Sequence, residues 1–235
     1  MNLSVNKPLW LWVAVGVLAY LALPWYAIQD ANGLRLIPQV FSQEQAGNGL
    51  LQAARYGRPW LWLGLLGLLV AAVGALLPAG RRQGAVLMAG GCLGLLALLA
   101  TGFTIGARGW SFDALTAAFG ELGARQPGMG WGGFVALTAL LMLGAFGVAR
   151  RGFFKGDLFV AAAVLGCGSL LALFIVFPVL KALSAAFFLE DGGFAIGAIV
   201  DRVASERNFG LGCVTGGQRC GVAWNTLFLG LMTAA

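Results

Sequence analysis

Cysteine could ligate a metal, attack a substrate or form a cross-link in this chain, and the residue that usually completes such chemistry is absent: there are four Cys and no His. Without imidazole there is no His-containing zinc site, no Ser-His or Cys-His nucleophile pair and no histidine proton relay. Cys92 and Cys167 lie within long apolar runs, where a thiol behaves as a small hydrophobe. Ser169, in Gly166-Cys167-Gly168-Ser169, has the small neighbours of an intramembrane nucleophile but no His to take its proton. Cys213 and Cys220 flank a Gly-Gly pair in LGCVTGGQRCG, which lets the chain turn back. They are candidates for a disulfide in an oxidising compartment, or else two partly buried thiols. Two sulfurs are half a zinc site, so no metal and no cofactor is expected.

The elements that carry these residues are membrane helices. Apolar residues make up 60% of the chain and charged ones 10%, far from the roughly 25% charge of a soluble domain. Five runs have no charge: residues 9–27, 60–77, 85–105, 131–149 and 158–180. Each reaches about 18 residues, the length at which a helix crosses roughly 30 Å of hydrocarbon. A sixth run covers residues 222–235. Barrel strands would need alternating polarity, which LWLGLLGLLVAAVGALL lacks. The sequence therefore predicts an all-α, polytopic transmembrane helix bundle with five full spans and the start of a sixth. Lys7 before the first run has the look of a secretory signal, but no good cleavage site follows. Trp10, Trp12, Trp25 and Tyr26 mark interfacial belts on a retained helix. Gly90 with Gly94, and Gly67 with Ala71, are small residues four apart, a spacing that lets neighbouring helices approach closely.

Lys7, Arg81, Arg82, Arg150, Arg151 and Lys155 fall in the short segments between runs, with Asp157 as the one acid there. The positive-inside rule puts those segments and the N-terminus in the cytoplasm, and the longer loops outside. The pI near 9.6 then reflects topology, not nucleic-acid binding. Two outer loops show helical periodicity: Phe112, Leu115, Phe119 and Leu122 in one, and Ile196, Ile199, Val200 and Val203 in the other. The first is expected to lie along the membrane surface, and such a loop helix either caps the bundle or docks an external partner. No Asp, Glu, Lys or Arg lies inside the five runs, which argues against a proton-driven carrier. No Walker-type phosphate loop is present, and the chain is not expected to be an enzyme.

The C-terminal third contains FPVLKALSAAF, from Phe177 and Pro178 onward, and ends in NFGLGCVTGGQRCGVAWNTLFLGLMTAA, with Asn225, Thr226 and Leu227 at a helix start. From about residue 170 to 235 this resembles the start of a bacterial type I ABC importer permease, closest to the iron(III) group. The resemblance implies residues 158–235 as the beginning of a permease domain and residues 1–157 as an N-terminal membrane extension of four spans. It implies a periplasmic substrate-binding protein and a cytoplasmic ABC ATPase as partners, in the bacterial inner membrane. The Glu-Ala-Ala coupling motif of such permeases is absent from this chain. Asn225 has a second reading as an N-cap of its helix. The competing class is a membrane scaffold or accessory subunit with no transport pathway. Residues 222–235 would rise only about 21 Å as a helix, so the natural chain is expected to continue past Ala235.

Overall fold

A computed structural model describes residues 6–27, 40–41, 47–106, 109–111, 113–122, 126–187, 197, 200–201, 204–213 and 220–234. These are mostly helical. In chain order they form α1 (Lys7–Ala22), α2 (Gly49–Ala54), α3 (Leu61–Leu76) and α4 (Arg81–Thr104). A two-strand hairpin follows, β1 (Ile105–Gly106) and β2 (Gly109–Trp110), antiparallel with Ile105 opposite Trp110. Then come α5 (Asp113–Phe119), α6 (Trp131–Arg150), a tight turn at Phe153–Gly156, and α7 (Leu158–Leu171). Last are α8 (Phe177–Ala186), α9 (Glu206–Phe209) and α10 (Val222–Ala234). The chain divides into two compact units, Met1–Ser169 and Leu170–Ala235.

Three helices among the described residues are long and apolar enough to cross a membrane: Arg81–Thr104, Trp131–Arg150 and Leu158–Leu180. This corrects the expectation of five full spans. The first two runs fold into α1 and α3, each of 16 residues, which rise about 24 Å. Proline sets both limits. Leu23 precedes Pro24 and Leu77 precedes Pro78, and both leave the helix for extended backbone (ψ 147° and 153°), because a proline's Cδ crowds an α-helical residue before it. Pro59 similarly sits just ahead of α3.

Within the N-terminal unit, α4 packs between α3 and α6, and α1 packs on α6 and α3. The core between them includes Leu9, Val13, Leu61, Leu68, Leu87, Leu140 and Leu143. Glycines make both faces of α4 close. A Cβ on Gly67 would lie 2.5 Å from Gly94 Cα, and one on Gly90 would lie 2.6 Å from the Ala71 nitrogen. The small-residue pairs expected from the sequence therefore face each other. On the other side, a Cβ on Gly91 would lie 2.5 Å from the Gly144 nitrogen. Helix α7 adds Ala161 against Ala145 and Ala149.

In the C-terminal unit the long helix passes through a π-turn at Ala172–Val176 into Phe177 and Pro178, with the Phe177 N–H donating to Ala172 O. Pro178 has no N–H to give the preceding turn, and a widened turn accommodates that loss. The side chains of Leu170, Phe174, Ile175 and Val179, like those of Leu227, Phe228, Leu231 and Met232 on α10, are exposed. Of the periodic residues expected in the last outer loop, Ile196, Ile199 and Val203 lie outside the described residues.

Candidate functional site

At one end of the N-terminal unit a buried polar network ties four helix ends together. Because Pro78 stops α3, the last carbonyls of that helix lack intrahelical donors. Asn6 Nδ2 donates to Ala75 O at 3.1 Å and to Leu77 O at 3.4 Å. Gln83 Nε2 donates to Leu77 O at 3.0 Å and to Asn6 Oδ1 at 3.2 Å. Arg150 Nη1 donates to Gln83 Oε1 at 2.8 Å. Asn6 is 8% exposed and Gln83 is fully buried. The network brings the start of α1, the end of α3, the start of α4 and the end of α6 to one place. Lys7, Arg81, Arg82, Arg150 and Arg151 therefore share an end of the bundle. No periodic signal in the sequence marks Asn6 or Gln83. The available clue was Pro78, whose preceding carbonyls need donors from elsewhere.

The opposite end is aromatic. Tyr20 Oη donates to Leu61 O at 3.2 Å and its ring packs on Trp25 at 4.4 Å. Trp25 is 4% exposed, so it belongs to the core and not to the lipid belt expected of it. Asn48 caps α2 by accepting from Leu51 N, and its Nδ2 holds Leu21 O at 2.9 Å. Arg58 stacks 4.2 Å over the Tyr26 ring and donates to the buried Gln52. Burial pushes the Tyr26 phenol above its ordinary pKa, and Arg58 pulls the other way. The β-hairpin returns Trp110 over this end, where it meets Trp60 at 5.0 Å and Phe119 of α5 at 5.5 Å. The helix expected here is present over Asp113–Phe119 and packs its last ring, Phe119, on Trp60 and Trp110; Leu122 falls beyond its end, and Phe112 lies outside the described residues.

Between this cap and α4 lies a cavity of about 330 Å³ lined by Trp25, Tyr26, Leu98, Thr101, Ile105 and Met129, among others. Thr101 Oγ1 already donates to Leu98 O at 2.7 Å. Its lining is mostly apolar, with Tyr26, Thr101 and Gln126 as the polar side chains, and brings together no carboxylate, Lys, Arg or Cys among the described residues. No group of three metal-ligating side chains occurs among the described residues.

In the C-terminal unit Cys213 and Cys220 are joined as a disulfide with Cα atoms 4.8 Å apart, inside the roughly 4.4–6.8 Å window for such bridges. Asn225 is not an N-cap, because α10 already starts at Val222. Its Nδ2 instead donates to Cys220 O at 3.2 Å, anchoring the bridge to the helix. Trp224 Nε1 donates to Phe209 O at 3.0 Å, and Gly221 N donates to Gly210 O at 2.8 Å. Thr226 Oγ1 back-bonds to Val222 O, and the Leu227 side chain is exposed. The structure thus gathers Cys213, Cys220 and Asn225 at the head of α10, while Phe177 and Pro178 sit on the long helix. Non-reducing mass mapping is expected to recover a Cys213–Cys220 peptide pair, and C213S/C220S to cost about 2 kcal/mol. Free thiols at both positions would contradict this.

No protein-family model, no curated protein and no solved structure matches the chain.

Proposed function

We propose that the chain is a membrane-embedded part of the permease subunit of a bacterial type I ABC importer, of the iron(III) group. It works with a periplasmic binding protein that delivers the ligand and a cytoplasmic ATPase that drives access. The observation that carries this reading is the permease-like stretch from about residue 170 to 235, which lies within one compact unit, Leu170–Ala235, inside the 158–235 domain that the resemblance implies. The exposed apolar side chains of the long helix and α10 support it further, since a helix apolar on all sides belongs in lipid or among other helices. The basic end faces the cytoplasm and the aromatic cap faces the periplasm of the inner membrane.

A non-transporting scaffold is the second reading. The glycine seams of the N-terminal unit favour it there, because they bring helix backbones into contact along α4. The two readings differ in whether an ABC ATPase accompanies the natural gene product through purification. For orientation, a cysteine introduced at Arg82 or Arg151 is expected to react with a membrane-impermeant maleimide only after permeabilisation, and one at Thr116 in intact cells. The reverse pattern would invert the topology.

A further inference from the structure

The network at the basic end employs Arg150 and leaves its neighbours outside. Arg151 lies along α4: a Cβ on Gly84 would be 3.0 Å from Arg151 Cγ, and Arg151 Nη1 is 4.0 Å from the Met88 sulfur. Arg81, Gly84 and Met88 recur at spacings of three and four, so Arg81 starts the same helical stripe that meets α6. Arg81, Arg82, Arg151 and Lys155 are all exposed. Asp157, the one acid in these segments, has its Oδ1 accepting from Val160 N at 3.1 Å as a cap of α7. Gly80 provides no side-chain acceptor at the start of α4, so the positive end of that 24-residue helix adds to the guanidinium charges. Beside them, Phe153 is 54% and Phe154 42% exposed, with the Arg151 guanidinium 6.0 Å from the Phe153 ring.

Cations with no acidic partner among the described residues, next to exposed apolar surface at the end of helices long enough to cross a membrane, match an amphiphile with an anionic head. We propose that the α4–α6 seam at this end binds the phosphate headgroup of an anionic glycerophospholipid. Arg81 and Arg151 hold the phosphate, Arg82 and Lys155 add attraction, and Met88 and Phe153 receive the first acyl carbons. The site needs only a headgroup layer at this end, so it stands apart from the transport reading and from which leaflet is involved.

The test uses the full chain in phosphatidylcholine vesicles with chain-spin-labelled phosphatidylglycerol or phosphatidylcholine, reading the motionally restricted fraction. Selectivity for phosphatidylglycerol is expected at about fivefold or more. It should fall to near one in R81Q/R151Q, persist in R81K/R151K and in the opposite-end variant R55Q, and be reduced in R82Q/K155Q. Equal restriction of both lipids in the parent protein would overturn the proposal, as would full selectivity in both glutamine pairs. Displacement by millimolar inorganic phosphate, but not by chloride at equal ionic strength, would reassign the seam to a free anion and also overturn it. Should R81Q/R151Q lose the parent's gel-filtration profile, the R82Q/K155Q pair decides.

Discussion

Gly91→Val is expected to abolish the N-terminal bundle. The new Cβ would lie 2.5 Å from the Gly144 nitrogen and 2.8 Å from Leu140 O, both backbone atoms that no rotamer change can move aside. Helices α4 and α6 would have to separate, which empties the seam along its length. Overpacking typically costs about 1–3 kcal/mol when side chains can adjust. Here the obstruction is backbone, so the cost lies at or above the top of that range. Loss of monodisperse protein on gel filtration in detergent is the readout. Gly102→Ala is the control: it is also in α4 but has nothing within 4 Å of the added Cβ. It should be neutral or stabilising by up to ~1 kcal/mol, since alanine is the better helix former. Equal behaviour of the two variants would remove close packing as the reason for glycine at Gly91.

Gln83→Leu keeps the side-chain volume and deletes the hub of the polar network. It withdraws donors from Leu77 O and Asn6 Oδ1 and the acceptor used by Arg150. Buried groups that lose partners cost about 1–3 kcal/mol each, with bonds to a charged group at the upper end. A loss of about 2–3 kcal/mol in urea or thermal unfolding is expected. Thr138→Val, which removes only an exposed back-bond to Phe134 O, should change stability by less than about 0.5 kcal/mol. A Gln83→Leu protein as stable as the parent would mean that the four helix ends are held by packing alone.

What the sequence reveals depends on whether the physics is local or distant. The small-residue spacings at Gly67, Ala71, Gly90 and Gly94 are properties of single helix faces, and the structure opposes Gly67 to Gly94 and Gly90 to Ala71. The helical classes of the apolar runs were legible for the same reason. Lengths were read less well, because a charge-free run counts residues that Pro24 and Pro78 exclude from the helix. The hub at Asn6 and Gln83 joins positions 77 residues apart, and no periodicity encodes such a pairing. The place of Trp25 after an apolar run points to the interface, yet the folding back of 47–49 and 128–132 onto this segment buries it. Asn225 looked like a cap because Asn favours that position, but α10 begins a turn earlier and its amide turns to the Cys220 carbonyl.

Purification of the natural gene product from its own membranes tests the permease proposal most directly. A nucleotide-binding subunit is expected to remain with it through gel filtration in near-stoichiometric amount, and the cognate periplasmic binding protein loaded with iron(III) to stimulate its ATP hydrolysis. A homogeneous product carrying no ATP-hydrolysing subunit would rule out a permease and favour a scaffold.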